Sequence, residues 1–156
     1  MMASALRVRA FNTGSKAMEN PGSPMQLTRA ADYAVRALIH LASQPEGTRL
    51  LLPEIAQLAG APEDFLSKIL QSLRRAGLVE SRRGRAGGFA ILPAGCSATI
   101  SSVIEAIDGP IRLNACVTSE GLCSRKGGCP VHPLWVRAQA AVIRILASET
   151  IAGLAK

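Results

Sequence analysis

From Thr28 onward the apolar residues Ala31, Ala34, Val35, Leu38, Ile39 and Ala42 recur every three or four positions. That is the spacing of one buried face of an α-helix. Thr28 can cap its start, and Pro45 with Gly47 ends the run. A shorter helix is predicted over residues 53–59, with Pro53 in its first turn and Gly60 as a left-handed stop. The tight connection at 60–62 leads into a third helix over residues 63–76, with Phe65, Leu66, Ile69, Leu70 and Leu73 as its buried stripe. Gly77 stands where a helix wants a left-handed residue past its end. Two short helices joined by a tight turn make a helix-turn-helix.

The period then changes. Apolar runs at 78–79 and 89–92 flank a tip rich in Gly and Arg at 82–88, the signal of a β-hairpin. The predicted fold class is therefore mainly α with a small β-hairpin wing, a winged helix-turn-helix domain followed by a long C-terminal helix for dimerisation. In such a fold the third helix can enter a DNA major groove, with Ser67, Lys68, Gln71 and Arg74 near bases and phosphates. The wing can reach the adjacent minor groove or backbone through Arg82, Arg83 and Arg85, and Gly87 and Gly88 let its main chain come close.

Charge supports this placement. The 156 residues carry a net charge of +7. Residues 68–85 hold six basic side chains against Glu80 alone, a local +5. A concentrated excess of this kind points to a polyanion such as double-stranded DNA. Only five aromatic residues (Phe11, Tyr33, Phe65, Phe89 and Trp135) argue against a stacking platform for single strands. With 48% apolar residues the chain can build a core, and with no apolar run of membrane-spanning length it predicts no membrane partner. No nucleophile–base pair or phosphate-cradling loop suggests an enzyme.

Three segments are expected: a disordered leader at 1–24, a winged-helix DNA-binding domain at 25–95, and a loop with the dimerisation helix at 96–156. The leader mixes Gly, Ser, Pro and Asn without periodicity, and Arg7 and Arg9 interrupt any export signal. Met18 and Met25 are alternative starts. Without export the compartment is cytoplasmic and reducing, which disfavours disulfides.

After a short strand and a loop around Cys96, a helix is predicted within residues 101–110, with Ser102 and Glu105 placed for a capping box and Gly109-Pro110 as its stop. A loop rich in Gly and Ser then spaces three cysteines as Cys116-x6-Cys123-x5-Cys129, with His132 three residues on. The final helix, over residues 133–147, carries one apolar stripe through Leu134, Ala138, Ala141 and Ile145, and another through Trp135, Val142 and Leu146. Two stripes need two partners, the chain's own domain and a second subunit. On residue chemistry alone the clustered thiols allow a disulfide, unligated structural thiols, a zinc site or an iron–sulfur cluster. The wide intervals suit the larger iron–sulfur group better than a zinc motif.

The wing sequence RRGRAGGFAI, the cysteine spacing and the opening MQLTRAADYAVRALIHLA at Met25 together resemble the Rrf-type regulators, the IscR-, NsrR- and RirA-like family, over about residues 25–150. The resemblance implies a homodimeric bacterial transcription regulator on palindromic promoter DNA. Its iron–sulfur cluster would respond to nitric oxide, iron or cluster supply, or redox stress. Cys116, Cys123 and Cys129 match the family's three cluster ligands, and Cys96 has no counterpart among them. The fourth ligand would be Asp32 from the partner subunit, in the manner of [4Fe–4S] members, or His132, in the manner of [2Fe–2S] members. The first is preferred. The alternatives are a zinc-stabilised regulator without redox sensing, or a small electron-transfer protein.

Overall fold

Thr28 starts the first helix as its position predicts. Its hydroxyl accepts from the Ala31 N–H at 3.2 Å and donates to the Asp108 carboxylate at 2.7 Å. The computed structural model describes residues 27–84, 87–117 and 128–155. The leader at 1–24, Arg85 and Cys123 lie outside them.

Helix α1 (Arg29–Ala42) buries Ala31, Ala34, Ala37, Leu38 and Leu41. Its small alanines let neighbouring elements come close, and α1 packs against α2 (Leu52–Ala59), α3 (Glu63–Arg75), α5 (Ile100–Asp108) and α7 (Ile151–Leu154). Pro53 lies in the first turn of α2, where the Glu54 carboxylate accepts from the Leu51 N–H at 2.6 Å. Gly60 ends α2 with φ +67°, and Gly77 follows α3 with φ +74°, the left-handed values that favour glycine.

Leu38, Ile55, Leu66, Leu70, Leu73, Val79, Val103 and Ile151 are fully buried and form one core with the small residues of α1. Each such side chain stabilises the fold by about 1.5–3 kcal/mol relative to exposure. Phe65 departs from its predicted place in the buried stripe. It is 39% exposed and meets Tyr33 edge-on, with ring centroids 6.1 Å apart. The buried set at 66, 69, 70 and 73 fixes the inward face of α3, and one residue earlier on a helix points about 100° away from Leu66.

Strands β1 (Val79–Arg82) and β2 (Gly88–Ile91) pair antiparallel, with Val79 opposite Ile91 and Arg82 opposite Gly88. Leu50 adds a third edge, exchanging two backbone hydrogen bonds with Phe89 at 2.9 and 3.0 Å. A short helix, α4 (Pro93–Ser97), replaces the expected loop around Cys96. Its Gly95 is obligatory, because a Cβ there would stand 2.2 Å from the Leu78 carbonyl oxygen.

Helix α5 begins two residues before the predicted capping box. Thr99, in extended conformation, is the cap, and its hydroxyl accepts from the Ser102 N–H at 3.2 Å. A single 3-10 turn, Ala115–Val117, precedes α6 (His132–Ser148). His132 is the first residue of α6, and Val131 is its cap. None of the 17 residues of α6 is buried. The chain then returns to the core: the Ile151 N–H donates to the Ala98 carbonyl at 2.9 Å and its side chain is fully covered. Among the described residues no helix is long and apolar enough to cross a membrane.

Candidate functional site

Helix α3 is polarised along its length. Its first turn carries Glu63 and Asp64, and its last turn Arg74 and Arg75, the arrangement that suits the helix dipole. The cationic end is therefore the C-terminal one, beside the wing. Lys68, Gln71 and Arg74 are exposed on α3, and Ser67 is half-buried. The Arg74 guanidinium donates to the Ser81 hydroxyl at 3.2 Å, which fastens the end of α3 to β1. Arg82 and Arg83 are exposed on the wing and have no hydrogen-bond or ion-pair partner among the described residues.

The two wing glycines have a packing reason of their own. A Cβ on Gly87 would stand 2.5 Å from the Arg82 carbonyl oxygen, and one on Gly88 would stand 2.6 Å from that of Leu50. Gly88 also has φ +124°. Both are required to close the hairpin and seat it against the third edge, whatever the wing touches.

Sequence reasoning missed Arg49. It lies one residue before the third edge and forms an ion pair with Glu80 on β1. Its side chain is 21% exposed, and its Nη1 is buried without a partner. The two residues are 31 positions apart, and no local pattern announces such a contact.

The second candidate region surrounds the cysteines. Cys116 is buried on the 3-10 turn, which packs against α6, and the Leu113 N–H donates to Gln139 Oε1 at 3.2 Å. Cys129 is half-buried, and its carbonyl accepts from the His132 N–H at 3.2 Å. Cys96, Cys116 and Cys129 are all free thiols. His132 Nδ1 is buried and unpartnered. Asp32 lies on the first turn of α1, where its carboxylate accepts a hydrogen bond from Arg36 Nε at 3.2 Å and forms an ion pair with Arg36 Nη2 at 2.9 Å. Among the described residues no three Cys, His, Asp or Glu side chains converge as a metal would require.

A family model described as Rrf2, iron-dependent transcriptional regulator, matches residues 27–156. The chain is 35% identical over 134 residues to a Mycobacterium tuberculosis (strain H37Rv) protein described as an HTH-type transcriptional regulator, covering 84% of this chain and 81% of the relative. It is also 35% identical over 133 residues to protein aau3 of Rhizobium meliloti, covering 85% and 86%. Among solved structures, CymR, the global cysteine regulator of B. subtilis, superposes with a TM-score of 0.67 at 29% identity, covering 84% of this chain and 96% of that one. IscR of T. potens superposes with a TM-score of 0.64 at 22% identity, covering 83% and 85%, which is a likeness of fold.

Proposed function

Since the chain belongs to the Rrf2 family, whose members are transcriptional regulators and not enzymes, we propose that it is a homodimer that binds palindromic double-stranded DNA under the control of an iron–sulfur cluster. The observation that carries the DNA reading is the set of exposed cations, Lys68, Arg74, Arg82 and Arg83, gathered at the end of α3 and on the wing above a continuous core. Helix α3 would enter the major groove, and the wing arginines would hold the flanking backbone. The exposed Leu134 and Ile145, eleven residues apart and so on one side of α6, supply an apolar face for a second copy.

For the cluster, Cys116, Cys123 and Cys129 supply three thiolates, the donor type that iron–sulfur groups take. An orphaned buried nitrogen is costly, and His132 Nδ1, on a residue whose backbone N–H bonds the Cys129 carbonyl, is such an atom. It supports His132 as the fourth ligand, and with it a [2Fe–2S] cluster. The carboxylate of Asp32 would have to leave Arg36 before it could serve a partner's [4Fe–4S] cluster. When bound, the cluster supplies iron that reacts with nitric oxide or oxidants. The chain's own part is to carry the state of the loop to the DNA-binding helices. Leu113 ties the loop to α6 through Gln139, and Asp108, at the end of α5, holds the cap of α1 through Thr28.

Anaerobic purification followed by a visible spectrum and iron, sulfide and zinc analysis tests the cluster. Iron and sulfide in stoichiometric amount are expected, and a colourless protein with one zinc overturns the sensing reading in favour of a zinc-stabilised regulator. His132→Ala is expected to destabilise or shift the cluster spectrum more than Asp32→Ala. The reverse order assigns Asp32 and [4Fe–4S].

A further inference from the structure

Strand β1 is clasped on both faces. Side chains alternate along a strand, so Val79 and Ser81 share one face while Glu80 and Arg82 share the other. On the first face Arg74 from α3 donates to Ser81. On the second, Arg49 pairs with Glu80. Arg49 comes from the segment whose next residue, Leu50, forms the third edge of the wing, and the backbone of Gly88 lies directly against that segment. Glu80 is the one acidic residue in the basic window 68–85, and Arg82 is its same-face neighbour two residues on.

From this geometry we propose that Arg49 is a positioning residue for DNA binding: by holding Glu80 it leaves Arg82 unengaged and available to a phosphate. The inference rests on the DNA-binding reading above. Without Arg49, the Glu80 carboxylate is left with Arg82 as its same-face neighbour two residues along β1. A carboxylate that captures Arg82 removes one phosphate contact, because the guanidinium's charge is then spent on Glu80 rather than on the polyanion. The clasp is partly covered, since Arg49 is 21% exposed, so salt screens it less than an open surface pair. Its principal effect is on which groups meet DNA, because half-exposed ion pairs add little to folding stability.

The test uses the full chain, purified anaerobically, and a labelled duplex of about 30 base pairs selected by the wild-type protein from a random-sequence pool, long enough for two half-sites one helical turn apart. Binding is read by fluorescence anisotropy across a salt series. Arg49→Ala is expected to weaken binding about five- to tenfold and to lower the salt slope by about one, the signature of one lost phosphate contact. Adding Glu80→Gln to Arg49→Ala is expected to restore affinity to within about twofold of wild type, because the competing carboxylate is gone even though the clasp remains broken. A purely structural clasp predicts no such rescue. Arg49→Lys keeps the cation and is expected to bind within about threefold of wild type, which provides a folded comparison should Arg49→Ala prove unstable.

Wild-type affinity in Arg49→Ala, or a double variant as weak as the single one, overturns the inference while leaving DNA binding intact. Failure of the wild-type protein to select or bind any duplex overturns the DNA reading, and this inference with it.

Discussion

Helices α3 and α6 are both amphipathic, and they solve the problem of their apolar faces differently. The 13 residues of α3 bury four large side chains in the chain's own core, so its polar face is free to act. The 17 residues of α6 bury none. Leu134 and Ile145 are 57% and 67% exposed on it, although the helix is anchored at its middle through Gln139 and past its end where the tail returns. Folding covers the apolar face of one helix and leaves that of the other exposed. The half proposed to read DNA has a core of its own, while the half that carries the cysteines leaves its helix open to the proposed second subunit.

The contrast can be broken most directly by cutting into each face. Leu70→Ala, at a fully buried site on α3, is expected to cost about 2–5 kcal/mol in chemical denaturation. Ile145→Glu should change folding stability by less than about 0.5 kcal/mol. It should nonetheless weaken self-association at least about tenfold in sedimentation, because it sets a charge in the apolar face. A comparable loss of folding stability from both variants would show that the two helices do not differ in the way described.

On the DNA-reading side, the double change Arg83→Ala with Arg85→Ala should reduce duplex affinity by about tenfold or more near physiological salt. The salt slope should fall by about two, with the thermal transition unmoved. Unchanged affinity and slope would remove the wing from the interface. Gly88→Ala should destabilise the fold by about 1–3 kcal/mol, since the new Cβ meets the Leu50 backbone at a positive φ. Its effect on DNA binding then measures how far the wing's position matters beyond its charge. The smallest effect sought is that of Thr28→Ala, about 1 kcal/mol for the lost cap, together with a weaker link from α1 to Asp108.

What could be read from the sequence was local chemistry. The Thr28 cap, the left-handed Gly60 and Gly77, and the two strands around a glycine tip each follow from a few adjacent residues, and each stands where the pattern places it. The start of α5 shows the limit of that reading. Ser102 with Glu105 and Thr99 with Ser102 are both acceptable capping arrangements, and the tail decides between them by pairing Thr150 with Thr99. Phe65 shows the same limit in packing: periodicity alone gave α3 a stripe one residue too wide. Arg49 with Glu80 and Leu50 with Phe89 join segments more than 30 residues apart, and only the folded chain brings them together.

The return of the tail changes what kind of object α6 is. A helix tethered at one end swings; this one is held at its middle by the Leu113–Gln139 hydrogen bond and past its end by Ile151, which sits under α1. Its 17 residues rise by about 25 Å, and with its middle and its far end both fixed that length acts as a ruler. In a two-fold pair built on its exposed face, the gap between the two copies of α3 becomes a dimension of the molecule, to be matched by the separation of half-sites on the DNA. The final residues are therefore no dispensable appendage: deleting 149–156 takes a fully buried side chain out of the core that seats α3 and loosens the ruler at the same stroke.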